Sequence, residues 1–207
     1  MTIGVVGYFK LTQKLSTISI PTLPSVSFSD LVKISRFSLE KAPSESLVGT
    51  ISGINGDVEY ESRTATESAK INSPVEVQQG ESLSTGDNGK VILNFKDAAD
   101  ITIDSSSGVD IIQTLPADLV FRQIIGSVEY KKIGTYPVSI RVGHLIIENR
   151  GDIKISFTAD SPVTTIVMIS GTGTVAYNNL SNVSRVVNIS TGQTLKFNES
   201  NRKVTIK

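Results

Sequence analysis

The sequence contains no cysteine and no tryptophan, and it has one histidine and two methionines among 207 residues. Without cysteine there is no disulfide, no thiolate nucleophile and no cysteine-ligated zinc. Lys plus Arg equals Asp plus Glu, at 20 each, so the net charge is zero and provides no field that draws the chain onto nucleic acid. Composition therefore excludes a cysteine-ligated metal and favours no nucleic-acid partner. Together with the motifs considered below, it leads us to expect no cofactor and no metal.

The first part of the chain differs in composition from the rest. Residues 1–10 are an apolar run that ends in Lys10, too short for a membrane helix of ~20 residues and without the features of a signal peptide. Two interpretations fit them: the exit end of a transmembrane anchor, or a terminus that is disordered or docked on a sheet. Residues 11–46 are rich in Ser, Thr and Pro and predict a linker, with a short helix over 28–39.

From residue 47 to 207, most apolar stretches alternate with a period of two, which is typical of half-buried β-strands. Val91, Leu93 and Phe95 illustrate it, with Lys90 and Asn94 on the opposite face. The scarcity of helix-forming residues and the abundance of Ser, Thr, Val and Ile agree with this pattern. The sequence predicts an all-β domain over 47–207.

Two local patterns add detail to this prediction. Residues 163–169 are apolar almost without interruption, which predicts a strand covered on both faces at the centre of the core. Asp87-Asn88-Gly89 is the signal for a type I′ β-hairpin, and Asn55-Gly56 is a second pair able to take positive φ.

The chain also repeats short segments. Gly56–Tyr60 reads Gly-Asp-Val-Glu-Tyr and returns as Gly126–Tyr130 and, more weakly, as Gly173–Tyr177, while Val77–Leu83 is echoed by Ile189–Leu195. The spacings are unequal, so this is no strict repeat. We expect similar strand–turn–strand units, stacked on one another, with one valine of each Gly-x-Val-x-Tyr segment facing the core: Val58, Val128 and Val175.

These segments, in this order, resemble the FecR family. The match covers about residues 48–197, beginning with Gly53-Ile-Asn-Gly-Asp-Val58 and Val77-Gln-Gln-Gly80 and ending with Ile189-Ser-Thr-Gly192-Gln193. It implies a solenoid-like or sandwich stack of short antiparallel strands outside the bacterial cytoplasmic membrane. One departure is Asp97-Ala98-Ala99, where the family has an Asp-Gly turn. No counterpart of the family's cytoplasmic sigma-factor-contacting segment is recognised, so the resemblance supports the extracytoplasmic module rather than iron regulation.

Residues able to perform chemistry are few, and each has a structural interpretation. His144 lies between apolar strand positions, and no Gly-x-Ser-x-Gly elbow accompanies it. The spacing of the acidic residues Asp97, Asp100, Asp104 and Asp110 fits no calcium loop and predicts solvated strand ends and turns. Ser170–Thr174 is glycine-rich but lies between strands and predicts a hairpin turn. Asn179, Asn182, Asn188 and Asn198 each begin an Asn-x-Ser glycosylation sequon. In a chain rich in Ser and Asn, we attribute these four sequons to chance.

Two functions remain open. The first is a non-catalytic, membrane-tethered extracytoplasmic module for protein interaction or envelope signal transduction, located in the periplasm or at the cell surface. The alternative is a secreted β-solenoid carbohydrate-binding module or polysaccharide hydrolase. In either case we expect an envelope protein or glycan as partner. We predict that residues 197–207 form a terminal edge strand, guarded by Arg202, Lys203 and Lys207, close to the binding surface.

Overall fold

The computed structural model describes residues 45–207, which lie within one compact unit and contain strands and turns but no helix. The all-β prediction is confirmed. The predicted anchor at 1–10 and helix at 28–39 lie outside the described residues. No helix able to cross a membrane occurs within residues 45–207. The strands are β1 (Gly49–Asn55), β2 (Val58–Glu61), β3 (Ala69–Lys70), β4 (Glu76–Val77), β5 (Glu81–Thr85), β6 (Lys90–Phe95), β7 (Ala99–Ile103), β8 (Gly108–Leu115), β9 (Asp118–Lys132), β10 (Val138–Val142), β11 (Leu145–Phe157), β12 (Val163–Asn178), β13 (Ser184–Ser190), β14 (Thr194–Asn198) and β15 (Lys203–Ile206).

The strands form one hydrogen-bonded sheet that bends into two layers. Layer A has the order β4-β1-β6-β7, then the second part of β9, the second part of β11, the first part of β12, β14 and β15. Layer B has the order β3-β2-β5-β8, then the first part of β9, β10, the first part of β11, the second part of β12 and β13. The result is a sandwich whose layers share strands, because β9, β11 and β12 run through both.

The bend between the layers is a corner at which the chain crosses repeatedly, and glycine marks most crossings. Four glycines at the corner have positive φ: Gly56, Gly126, Gly171 and Gly192. Residues other than glycine adopt this backbone conformation only at an energetic cost. Gly151 is needed for a different reason, since a Cβ on it would lie 2.1 Å from the backbone oxygen of Ser170. The predicted stacked units therefore correspond to strand pairs that turn the same corner.

The hydrophobic core lies between the layers. The inward residues of both are buried, and rings from the two layers meet: the Phe95 and Phe121 centroids are 5.5 Å apart, and those of Tyr177 and Phe197 are 5.3 Å apart. Val58, Val128 and Val175 are at most 1% exposed, as predicted. Gly56 and Gly126 occupy the corner, whereas Gly173 lies two residues beyond the corner glycine Gly171, so the third segment is displaced from the other two.

Three local predictions are wrong. Asp87-Asn88-Gly89 connects β5 to β6, which do not pair with each other, and none of its residues has positive φ; it is a corner crossing rather than a hairpin. Residues 163–169 are covered on one face: Ile166 and Met168 are buried, but Ile169 is 45% exposed. Ser170–Thr174 lies within the continuous strand β12 and is no hairpin turn.

Two features depart from a stack of short antiparallel strands. β9, β11 and β12 have 15, 13 and 16 residues because each spans both layers. β9 and β10 pair in parallel, whereas all the other strand pairs in residues 45–207 are antiparallel.

The turn at Asp97-Ala98-Ala99 does not need glycine. Asp97 itself takes the positive φ of 58°, so neither alanine has to adopt that conformation.

Candidate functional site

The histidine predicted to be structural links the two layers. His144 lies in the turn between β10 and β11, and its Nδ1 is 2.6 Å from Oε2 of Glu199, which lies in the turn between β14 and β15. The Glu199 side chain is 14% exposed, and its Oε1 accepts a 2.9 Å hydrogen bond from Thr164. The pair borders a cleft of about 390 Å³ that is also lined by residues 157–162.

This arrangement shares one feature with a hydrolytic site, namely an imidazole held by a carboxylate. Two nearby hydroxyls contact other groups: Thr164 donates to Glu199, and Oγ of Ser161 accepts a hydrogen bond from the backbone of Val163. Within the described residues no hydroxyl is hydrogen-bonded to His144. The contacts support a structural role for the pair, which ties the layers together at the C-terminal end of the sheet.

The four acidic residues 97, 100, 104 and 110 do not converge. Asp100 accepts a hydrogen bond from Asn94, and Asp110 pairs with Arg122 and accepts from Ser82. No group of three or more metal-binding side chains occurs in residues 45–207. Asp97 lies in the β6–β7 turn and Asp104 at the corner, so the prediction of strand ends and turns describes these two. It is wrong for Asp100, which lies within β7, and for Asp110, which is buried in β8.

At the corner, Asp104 forms ion pairs with two lysines. These are Lys90 at 3.2 Å and Lys154 at 2.9 Å, which come from different strands of layer A. Partial burial acts to raise the pKa of Asp104, but hydrogen bonds from Lys154 and Lys90 outweigh it and hold the pKa below its ordinary value. The role of this carboxylate is to tie β6, β7 and β11 together.

Three of the four sequon asparagines shape turns. The side-chain oxygen of Asn179 accepts from the backbone of Ser181 and Val183, Asn182 has a φ of 57°, and Asn198 accepts from the backbone after β14. These roles suit asparagine, which mimics a backbone turn and tolerates positive φ. Asn188 instead lies exposed on β13, where it accepts from Thr174.

Among the described strands, the C-terminal end of the sheet has two edges that pair on one side only. Residues 197–207 comprise the end of β14, a turn and β15, so the predicted single terminal strand is half of a hairpin; β15 is the outermost strand of layer A. β13 is the outermost strand of layer B. Near it Leu180, Val183 and Val186 are 69%, 47% and 63% exposed. Sequence reasoning missed this second edge, although the run Val186-Val187 was a signal for it.

Comparison with known proteins gives a fold relationship. No family model matches the chain, and no curated protein matches it. Two crystal structures of a "putative anti-sigma factor" from Parabacteroides distasonis match, each with a TM-score of 0.52 and 10% identity, over 61% of this chain. The match covers 58% of the length of that protein. At this identity the likeness shows a shared β fold, and membership of the FecR family stays a prediction.

Proposed function

We propose that this chain is a non-catalytic extracytoplasmic module, tethered to the cytoplasmic membrane, that binds an envelope protein and takes part in signal transduction. The observation that carries the proposal is the likeness of its bent, two-layered sheet to a protein described as a "putative anti-sigma factor". The FecR-like order of segments along the sequence supports the same class. Because architecture alone does not establish function, the surface must supply the rest of the argument.

The surface suits a binding module better than a hydrolase. A catalytic site needs a base held close to a nucleophile or to a second acid. Among residues 45–207, His144 contacts Glu199, and no nucleophile is hydrogen-bonded to it. A sugar-binding groove commonly offers exposed aromatic rings, but every aromatic side chain among the described residues is buried or half-buried. Open strand edges and exposed aliphatic side chains favour contact with protein.

The proposal is tested in the source organism with the intact gene. A photoreactive amino acid is introduced at Val186, on layer B, at Lys203, on the β15 edge, and at Thr102, on the outer face of layer A. We expect the protein in the membrane fraction, with residues 45–207 accessible to protease from the outside, and a discrete cross-link to one envelope protein from at least one position. A protein found in the cytosol, or one that forms no cross-link from any of the three positions, would refute the proposal.

The signalling arm has its own readout. Deletion of the gene is expected to change the transcript levels of a defined set of genes, and the wild-type gene is expected to restore them. The His144→Ala variant serves as the matched control, because a binding module does not need an imidazole base and should restore the profile equally. A function lost in a folded His144→Ala protein would favour the enzymatic alternative.

A further inference from the structure

The outer face of layer B contains two arginines side by side. The parallel pairing of β9 with β10 sets Arg122 directly beside Arg141. Their neighbours along each strand, Phe121 and Ile140, are fully buried, so both arginines point outward. Like charges in directly paired positions destabilise a sheet, which makes this arrangement unusual in a chain whose net charge is zero.

The two arginines differ in their partners. Arg122 donates to Asp110 through Nε, at 2.6 Å, and through a second guanidinium nitrogen, and Asp110 also accepts from Ser82. Arg141 forms no ion pair or side-chain hydrogen bond with any described residue. Arg122 is thereby fixed in position, while no residue in the described part of the chain takes up the donors of Arg141.

Two carboxylates of this face near the arginine pair already have partners. Asp118 accepts hydrogen bonds from Ser139, at 3.0 and 3.3 Å, and Glu148 pairs with Arg150 at 2.7 Å. Neither of these two carboxylates is therefore free to relieve the repulsion between the arginines. A carboxylate from outside, placed against Arg141 and next to Arg122, would relieve it and gain a charge-assisted, bidentate contact.

Exposed aliphatic side chains surround the arginine pair. Ile124, two residues beyond Arg122, is 50% exposed, and Ile146, paired across from Arg141, is 54% exposed. The row continues through Ala176 to Val186, which is 63% exposed. A nucleic acid or sulfated glycan gains little from such neighbours, whereas a protein segment with apolar side chains beside an acid gains from both.

We propose that the row Arg122, Arg141, Ile146, Ala176 and Val186 is the docking surface for the partner protein, and that the partner presents an Asp or Glu side chain flanked by apolar residues. This rests on the proposed function and adds to it the surface and the chemistry of its partner. Charge complementarity selects the occupant, because this surface offers one cation that is unpaired among residues 45–207, and it lies between aliphatic patches.

The first test needs no partner. In the full chain, Arg141→Glu replaces the like-charged neighbour of Arg122 with an opposite charge, and we expect the urea midpoint of unfolding to rise. Arg185→Glu is the control: Arg185 is exposed on β13 without an ion pair among the described residues, so its midpoint should stay unchanged. A midpoint that falls in Arg141→Glu would overturn the argument from repulsion.

The second test uses defined peptides and the full chain labelled for NMR. The probes are acetyl-Leu-Glu-Phe-Glu-Leu-amide and the same peptide with Gln in place of Glu. We expect the acidic peptide to shift the side-chain Nε–H signals of Arg122 and Arg141, with binding about tenfold weaker for the Gln peptide and for Arg141→Gln, and unchanged for Arg185→Gln. Equal binding to Arg141→Gln, or tighter binding of heparin than of the acidic peptide at the same arginines, would overturn the proposal.

Failure of this surface can be distinguished from failure of the function. If the cross-linked envelope partner is recovered equally by wild type and by Arg141→Glu, the module binds a partner through another surface, and this docking surface is wrong. If wild type recovers a partner and Arg141→Glu loses it while remaining folded, the surface is supported. If wild type recovers none from any position, the proposed function fails first.

Discussion

The side-chain amide of Asn149 donates a hydrogen bond of 3.2 Å to the backbone oxygen of Tyr130, at the point where β11 exchanges β10 for β9 as its neighbour. Asn149 pairs with Val138 in β10, and three residues later Asp152 pairs with Lys131 in β9. The side-chain oxygen of Asn149 also accepts from the backbone of Gly151. One buried amide thus replaces the backbone hydrogen bonds that the change of neighbour removes.

Replacing Asn149 with Ala is therefore expected to lower the free energy of unfolding by about 2 kcal/mol, because it leaves buried backbone groups without partners. Urea unfolding followed by circular dichroism measures it. Asn188→Ala is the control, since Asn188 is exposed on β13. Equal effects of the two substitutions would contradict the role given to Asn149.

Two corner glycines allow the cost of backbone strain to be separated from the cost of a steric clash. Gly126 and Gly192 have φ of 90° and 83°. A Cβ on Gly126 would lie 2.0 Å from Oγ of Ser107, whereas a Cβ on Gly192 would meet nothing within 4 Å. We expect Gly192→Ala to cost about 1–2 kcal/mol from backbone strain and Gly126→Ala to cost clearly more. Thermal unfolding of both variants measures the difference in stability, and similar melting temperatures would show that the steric argument is wrong.

The valines of the recurring segments are predicted to stabilise the core individually. Val58, Val128 and Val175 are essentially unexposed, so each substitution by Ala should cost about 2 kcal/mol through lost burial and the cavity left behind. Val186→Ala, at a position that is 63% exposed, should change the unfolding midpoint little. Three neutral core substitutions would remove the argument for stacked units.

Stability should depend on Asp104 at acid pH. Because its folded-state pKa is lowered, the unfolded chain takes up a proton first as the pH falls. The stabilisation is fully present well above the unfolded value of about 3.9 and is lost as the pH falls through the folded pKa.

Asp104→Asn should accordingly cost about 1 kcal/mol at neutral pH and almost nothing at the acid end of the titration. Urea unfolding across this pH range measures the difference between the variant and wild type. Asp160→Asn, at an exposed position, is the control. A difference that stays constant with pH would refute the assignment.

The sequence by itself determined which side chains face the core. Alternation is a local property, since successive side chains of a strand point to opposite faces wherever its partner lies. It therefore placed Val58, Val128, Val175 and the row Val91, Leu93 and Phe95 correctly. The same alternation holds in the structure at Arg122 and Arg141, whose chain neighbours Phe121 and Ile140 are buried, but nothing in the sequence connects these two arginines.

Strand pairing was decided only by the tertiary structure. Asp87-Asn88-Gly89 has the residues of a hairpin turn, yet the backbone nitrogen of Gly86 bonds to Asp57, in the neighbouring crossing of the corner. β5 and β6 consequently pair with β2 and β1 rather than with each other. Register between distant strands depends on how the whole core closes, which local residue preferences do not encode. The parallel β9–β10 pair, which sets Arg122 beside Arg141, arises in the same way.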